Sequence, residues 1–167
     1  MKKLFLVGVL ALFGVVNAQH FGVNAGFLSL NAKVKLLDMK GSETKSGYYV
    51  GLFGEFGNEK FKFQPAVNLI GNEDGNALQI PLIAKFYVAD KFNLQAGPQL
   101  MFDLEEVPEG FNALNFGLGL GLGYDINNKF LLEARYSIQL NNHLENSSSN
   151  YSAKINYLSI GLGYRLK

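Results

Sequence analysis

The chain has 167 residues and a nearly balanced charge, with 15 Lys and Arg against 14 Asp and Glu, and it contains no Cys. This balance, without a basic patch, argues against a nucleic-acid partner, and the missing Cys excludes a disulfide framework. Charged residues make up only 17% of the chain, and 19 Gly recur inside apolar stretches. A soluble surface alone needs about 25 to 35% charged residues, and each Gly inside a helix costs about 1 kcal/mol. The composition therefore disfavours a soluble helical domain.

The first 18 residues have the pattern of a secretory signal peptide. Lys2 and Lys3 precede an apolar run over residues 4–16, and Val16-Asn17-Ala18 supplies the small residues of a cleavage site. The run is shorter than the about 20 apolar residues that a spanning helix needs. We therefore expect residues 1–18 to be removed during export, leaving one mature domain over residues 19–167 that starts at Gln19.

Eight stretches of the mature chain alternate with a period of two, which is the pattern of β-strands with two different faces. They cover residues 20–30, 47–57, 60–70, 77–88, 92–103, 113–125, 130–140 and 154–166. One face is apolar and carries no charge, as at Leu82 and Leu120, whereas the other consists of Gly, Asn and Gln with a few charges, as at Gln95 and Gly121. An apolar band around a polar interior is typical of transmembrane barrels. The sequence therefore predicts an all-β fold, an eight-stranded antiparallel up-and-down transmembrane β-barrel with a narrow polar lumen.

The predicted connections alternate in length, with short turns at one end of the barrel and longer segments at the other. The short turns are residues 57–59, 89–91 and 126–129, and the longer segments are residues 31–46, 71–76, 104–112 and 141–153. Outer-membrane barrels have short periplasmic turns and longer extracellular loops. Both termini are then expected on the periplasmic side, in the outer membrane of a Gram-negative bacterium.

Aromatic residues concentrate beside the short turns and the termini, where an interfacial girdle is expected. These residues are Phe21, Phe56, Phe61, Phe92, Tyr124, Phe130 and Tyr164. Aromatic residues are also common in any strand, and that alternative needs no membrane. Their position at strand ends favours the girdle.

Six charged residues on the polar face are expected to form an ion-pair network inside the barrel, because buried charges are normally paired. They are Glu55, Lys62, Lys85, Glu133, Arg135 and Arg165. The short turn after Gly57 would place Glu55 directly opposite Lys62. Glycines of the sixth and eighth strands are expected to leave room for Glu133 and Arg135. An ion path is the alternative, although eight strands leave an interior just wide enough for side chains.

Several short motifs resemble the small outer-membrane β-barrel family common in Bacteroidota, often labelled "porin family" or PorT-like. They are Phe63-Gln64-Pro65, Leu78-Gln79-Ile80-Pro81-Leu82, Leu94-Gln95-Ala96-Gly97-Pro98-Gln99, Gly119-Leu120-Gly121-Leu122-Gly123-Tyr124 and Ile160-Gly161-Leu162-Gly163-Tyr164-Arg165. The resemblance implies an integral outer-membrane barrel and is informative for fold more than for activity. It also implies outer-membrane lipid and the barrel assembly machinery as partners, with an extracellular or secretion-system partner left open.

Signals for an enzyme are weak, and no cofactor or metal site is expected. His143, Glu145 and Ser147 to Ser149 supply the residue types of a lipid A deacylase-like site, but a polar surface loop explains them as well. We therefore expect a non-enzymatic outer-membrane protein with surface loops for structural or interaction roles. The alternatives are a lipid-modifying enzyme, a secretion-system accessory barrel and a soluble lipocalin-like ligand binder.

Overall fold

The computed structural model describes residues 20–36, 39–73, 75–105, 114–141 and 151–166. The strands are β1 (His20–Leu36), β2 (Met39–Gly57), β3 (Phe61–Asn72), β4 (Gly75–Ala89), β5 (Phe92–Asp103), β6 (Leu114–Asp125), β7 (Phe130–Gln139) and β8 (Tyr151–Arg165). Each strand pairs antiparallel with the next, and β8 pairs with β1 to close the barrel. The predicted eight-stranded architecture is confirmed. Among the described residues, no helix is long and apolar enough to cross a membrane. The expected signal peptide and Gln19 lie outside the described residues.

The outward face of the barrel is apolar and the inward face is largely polar. Leu120 is 46% exposed, whereas Gln95 on the neighbouring strand is 3% exposed. In β4 the inward Ile83 and Lys85 are both fully buried, which places Leu82 on the outward face by alternation. A wide exposed apolar surface is unfavourable in water but suits contact with lipid acyl chains.

The interior contains large apolar side chains that the sequence analysis did not expect. Phe53 and Leu131 are at most 1% exposed and point inward with Ala66. Towards the end of the barrel opposite the termini, a larger apolar cluster lies in the lumen, and we name it the apolar plug. It consists of Leu28, Leu30, Tyr49, Ile70, Ala77 and Tyr157, with Met101 and Ile155 packed against it.

Three strands extend past the others at the end of the barrel opposite the termini. The pairing of β1 with β2 continues to Leu36↔Met39, and that of β1 with β8 to Leu36↔Tyr151. Within the described residues, β3 pairs with β2 no further than Gly47. We name the projecting part, residues 31–36, 39–44 and 151–156, the outer sheet. The six residues of β1 within it span about 20 Å of extended strand.

The outer sheet corrects the prediction that residues 31–46 form a long loop. Only residues 37 and 38, which lie outside the described residues, separate β1 from β2. The charged and small residues of this stretch give it a composition typical of loops. However, Ala32, Val34 and Leu36 alternate with Lys33 and Lys35. This period-two pattern is that of a strand with one polar face.

Candidate functional site

The predicted charged residues of the lumen lie near the end of the barrel that carries the termini, and they make short ion pairs. Lys85 Nζ lies 2.9 Å from Glu55 Oε1 and 2.8 Å from Glu133 Oε1, so it bridges two carboxylates. Arg135 Nη2 lies 2.6 Å from Glu133 Oε2, and Arg165 Nε lies 2.6 Å from Glu55 Oε2. The Lys85, Glu55 and Glu133 side chains are at most 3% exposed. Such charges are tolerated only when pairing compensates for lost hydration.

Asp125 and Tyr87 extend these contacts towards the barrel mouth. Arg165 Nη2 lies 3.0 Å from Asp125 Oδ1, and the Tyr87 hydroxyl donates to Asp125 Oδ2 at 3.0 Å. Lys62 is less tightly held, since its Nζ lies 3.9 Å from Glu55 Oε2 and 5.1 Å from the centre of the Tyr87 ring. We name the charged members together the ion-pair network. Its members are Glu55, Lys62, Lys85, Asp125, Glu133, Arg135 and Arg165.

The expected register between β2 and β3 is wrong, because Lys62 pairs with Gly57 and not with Glu55. The turn has the expected length but is shifted by one residue, since it runs over residues 58–60 in place of 57–59. Asn58 Oδ1 accepts a hydrogen bond from the Phe61 backbone N–H at 2.9 Å, and Asn58 N–H donates to the Phe61 carbonyl at 2.8 Å. Gly57 has a φ of 132°, which favours glycine and keeps it within the ladder. Glu55 therefore meets Lys62 only diagonally.

Above the ion-pair network, a chain of amide side chains crosses the lumen. Asn68 Nδ2 donates to Gln79 Oε1 at 2.8 Å, and Gln79 Nε2 donates to Gln99 Oε1 at 2.8 Å. The Tyr157 hydroxyl also donates to Gln99 Oε1, at 2.6 Å. Tyr157 belongs to the apolar plug, so its ring joins the polar layer to the apolar one. Along its axis the lumen therefore changes from charged to neutral polar, and then to the apolar plug with the buried pair Asn115 and Gln139 beside it.

The mouth near the termini is a wide vestibule that ends at the ion-pair network. It has a volume of about 800 Å³ and is lined by Lys62, Tyr87 and Asp125, with Glu55 among the lining residues. Lys60 and Asp90 of the short turns also line it. Water can enter this vestibule, but the side chains behind Glu55 are buried. A much smaller cavity of about 40 Å³ lies towards the other end, beside Met101, Asn115 and Tyr157.

Comparison with known proteins supports the location that the apolar exterior indicates. Residues 75–145 match the family model described as outer membrane protein beta-barrel domain. The protein is an outer-membrane β-barrel.

Solved structures resemble the fold of this outer-membrane barrel at low sequence identity, and no curated relative matches its sequence. Neisserial surface protein A, from Neisseria, aligns with a TM-score of 0.60 and 16% identity, covering 87% of this chain and 97% of that one. A de novo designed transmembrane β-barrel aligns with a TM-score of 0.51 and 11% identity, covering 84% and 95%. At these identities the likeness concerns the fold alone.

The predicted girdle residues of the outer-membrane barrel all lie near the end that carries the termini, and none is fully buried. Phe61 is 47% exposed, Tyr124 45% and Phe130 44%. The rings of Phe130 and Tyr164 pack with centroids 4.9 Å apart at an angle of 52°. The three remaining members are half-buried: Phe21, Phe56 and Phe92.

Glycines of β6 and β8 leave room for long inward side chains, although for more partners than expected. A Cβ at Gly121 would overlap Arg135, as predicted. At Gly119 it would overlap Gln99, and at Gly161 it would overlap Tyr49. The expectation that these glycines leave room for Glu133 is wrong at Gly123, because a Cβ there would meet Gln95.

Asp125, Tyr87 and the apolar plug are not among the residues predicted from the sequence. Asp125 could have been found, because it continues the alternate positions of the glycines in β6. The plug residues Leu28 and Leu30 gave no such signal, since β1 has apolar residues on both faces there.

The candidate enzyme residues His143, Glu145 and Ser147 to Ser149 lie outside the described residues. In the part of the chain that the structure describes, no three His, Asp or Glu side chains come together in a way that could hold a metal ion.

Proposed function

We propose that this protein is a non-enzymatic outer-membrane barrel with a closed lumen, which acts through its surface and its outer end. One observation carries the proposal: the ion-pair network and the apolar plug follow one another along the same lumen. Lys85 and Glu55 fill the first constriction without exposure, and Leu28 and Ile70 fill the second at 3% and 2% exposure.

These two layers oppose transport for different physical reasons. The ion-pair network could rearrange around a passing ion only by breaking pairs that replace hydration, and breaking a buried pair costs about 3 to 5 kcal/mol. The apolar plug consists mainly of hydrocarbon side chains, which cannot replace the hydration of an ion or a sugar. An eight-stranded barrel has no spare width to bypass either layer. A porin-like role is therefore disfavoured.

Reconstituted protein in liposomes tests the closed lumen directly. We expect swelling in small sugars and conductance in planar bilayers to remain at the level of protein-free membranes, while a large porin in the same lipid gives a clear signal. Step-like conductance that scales with the amount of folded protein would refute the closed lumen. Fatty acid release from lipid A by the purified barrel would refute the non-enzymatic assignment.

We further propose that the family is the small Bacteroidota-type barrel group, which the Leu78–Leu82 motif within the matched residues 75–145 supports. Export with cleavage after Ala18 and folding by the barrel assembly machinery accompany this assignment. N-terminal sequencing of the membrane form should give Gln19 first. A membrane form that retains Met1 would be inconsistent with this assignment.

A further inference from the structure

The ion-pair network carries more positive than negative charge. Its cations are Lys62, Lys85, Arg135 and Arg165, and its carboxylates are Glu55, Asp125 and Glu133. Four cations against three carboxylates leave an excess of one positive charge. Charges that have lost part of their hydration need compensation from charges of the opposite sign. The described members of the network therefore do not balance one another.

Lys62 is the cation of the network with the weakest contacts. Its Nζ lies 3.9 Å from Glu55 Oε2, which is beyond hydrogen-bond distance, and 5.1 Å from the centre of the Tyr87 ring. Glu55 makes shorter contacts elsewhere, at 2.9 Å to Lys85 Nζ and at 2.6 Å to Arg165 Nε. Within the described part of the chain, the Lys62 ammonium donates no hydrogen bond. The excess positive charge is therefore assigned to Lys62.

The Lys62 ammonium can be reached from the vestibule. The Lys62 side chain is 20% exposed, whereas the Lys85 side chain is 1% exposed. The vestibule of about 800 Å³ adjoins a second space of about 860 Å³ beside the turn between β6 and β7, and Lys62 lines both. Small-molecule sites have volumes of about 300 to 1,000 Å³. A solute of that size can thus approach Lys62 without crossing the buried part of the network.

The acidic residues near the mouth do not compensate Lys62. Glu59 and Asp90 line the vestibule but are exposed, and within the described residues neither forms an ion pair with Lys62. Ion pairs with exposed carboxylates contribute little, because both partners keep their hydration. Asp125 is paired with Arg165, whose Nη2 lies 3.0 Å from Asp125 Oδ1. An anion from solution can supply the compensation that these side chains do not.

The charge of the network also favours one kind of anion. A single carboxylate matches an excess of one positive charge. A phosphate group carries about −1.5 to −2 at pH 7, and Glu55 and Asp125 would repel the additional charge. The Lys62 ammonium has three N–H donors, and charge-assisted hydrogen bonds from it to a carboxylate are about twice as strong as neutral ones. A monocarboxylate is therefore favoured over phosphate.

We propose that the vestibule binds the carboxylate group of a small solute, and that Lys62 is the residue that binds it. The carboxylate accepts hydrogen bonds from the Lys62 ammonium, which also contacts the Tyr87 ring. The rest of the solute lies towards the mouth, where Lys60 and Asp90 present charges of both signs. A free small carboxylate and the C-terminal end of a short peptide share this chemistry. The inference goes beyond the proposed function, because the site lies outside the closed part of the lumen.

Titrations followed by NMR test the inference on the isotope-labelled barrel in phosphatidylcholine nanodiscs, in a buffer free of carboxylate and phosphate. The probes are acetate, trialanine, trialanine amide and inorganic phosphate. We expect acetate and trialanine to shift the backbone amide signals of Lys62 and Tyr87 until saturation. Trialanine amide lacks the carboxylate and should bind at least about tenfold more weakly than trialanine. Tighter binding of trialanine than of acetate would support a peptide end as the ligand, and equal binding would support a free small carboxylate.

A single substitution removes the proposed contact. Lys62→Met leaves three charges of each sign in the network, and it should lower the affinity for trialanine at least about tenfold. The matched control is Lys45→Met, which removes the same charge towards the opposite end of β2, where Lys45 pairs with Leu30. The control should bind trialanine as the wild type does. Heat-modifiable gel mobility first establishes that both variants are folded.

The inference is overturned if trialanine and its amide bind the wild type equally, because such binding would not depend on the carboxylate. Unchanged affinity in the Lys62→Met variant, or tighter binding of phosphate than of acetate, would overturn it too. Conductance of the same samples reports separately on the closed lumen. A conducting barrel whose carboxylate binding still depends on Lys62 would refute the proposed function alone.

Discussion

The ion-pair network makes a quantitative prediction, because Glu55 faces two lysines at different distances and exposures. Lys85 Nζ lies 2.9 Å from a Glu55 oxygen and its side chain is 1% exposed, whereas Lys62 Nζ lies at 3.9 Å and is 20% exposed. Coulomb's law gives about 6 kcal/mol for the Lys85 pair at an effective dielectric of about 20. For the Lys62 pair, which reaches the water of the vestibule, a dielectric of about 80 gives about 1 kcal/mol.

Net effects on stability are smaller than these values, because desolvation opposes both pairs. We expect a coupling energy of about 2 to 3 kcal/mol between Glu55→Gln and Lys85→Met in a double-mutant cycle. The coupling between Glu55→Gln and Lys62→Met should stay below about 1 kcal/mol. Lys85→Met also removes one ion-pair partner of Glu133. Glu133 retains its second partner, because Arg135 Nη2 lies 2.6 Å from Glu133 Oε2. The single Lys85 variant should therefore be destabilised without unfolding.

The free energy of unfolding is measured by urea titration in phosphatidylcholine vesicles. The chain has no Trp, so the folded fraction is better read from unheated gel mobility than from fluorescence. Lys60→Met, at an exposed turn position, is the matched control and should cost less than about 0.5 kcal/mol. Equal coupling of Glu55 to both lysines would refute the reasoning, because it would mean that exposure and distance do not determine the strength of the pairs.

Three further predictions concern the two faces of the barrel. Leu120→Arg, on the lipid face, should lower the free energy of unfolding by about 2 to 4 kcal/mol in vesicles, whereas no loss would place this face inside the barrel. Phe53→Ala, which empties a fully buried position, should cost about 3 to 5 kcal/mol, and Phe27→Ala, at a position 78% exposed to lipid, should cost much less in the same urea titration. Gly119→Leu should reduce the yield of heat-modifiable barrel, since its side chain would overlap Gln99, and the conservative Leu118→Ile on the outward face should leave that yield unchanged.

The strands and their facing could be predicted because lipid imposes a strict chemical difference between the two faces. A charge on the outward face would be costly, so Leu118, Leu120 and Leu122 alternate with glycines without interruption. The same constraint placed Glu55, Lys85 and Glu133 inside. The number of strands and the inward position of the charges thus follow from one rule, the cost of a charge facing lipid. This rule applies to each residue independently of its neighbours.

Register and network geometry could not be predicted in this way, because they depend on pairs of residues. The diagonal relation of Glu55 to Lys62 follows from the local geometry of Gly57 and Asn58. Contacts across the lumen, such as Lys85 with Glu133, join strands that do not pair with each other. No periodicity within one strand carries that information.

The apolar plug and the outer sheet are continuous along three strands, since Leu28 and Leu30 of β1, Tyr49 of β2 and Tyr157 of β8 lie in the plug and the same strands run on into the outer sheet. On β1 the ladder with β2 runs unbroken from the plug residues Leu28 and Leu30 to Leu36. Tyr157, in the plug, likewise belongs to the strand that supplies residues 151–156. A three-stranded sheet in water needs one packed face to be stable. The plug supplies a packed base for these three strands, so the residues that close the lumen also support the projecting part of the sheet. Closure at this end is therefore a structural requirement of the outer sheet as well as a barrier to solutes.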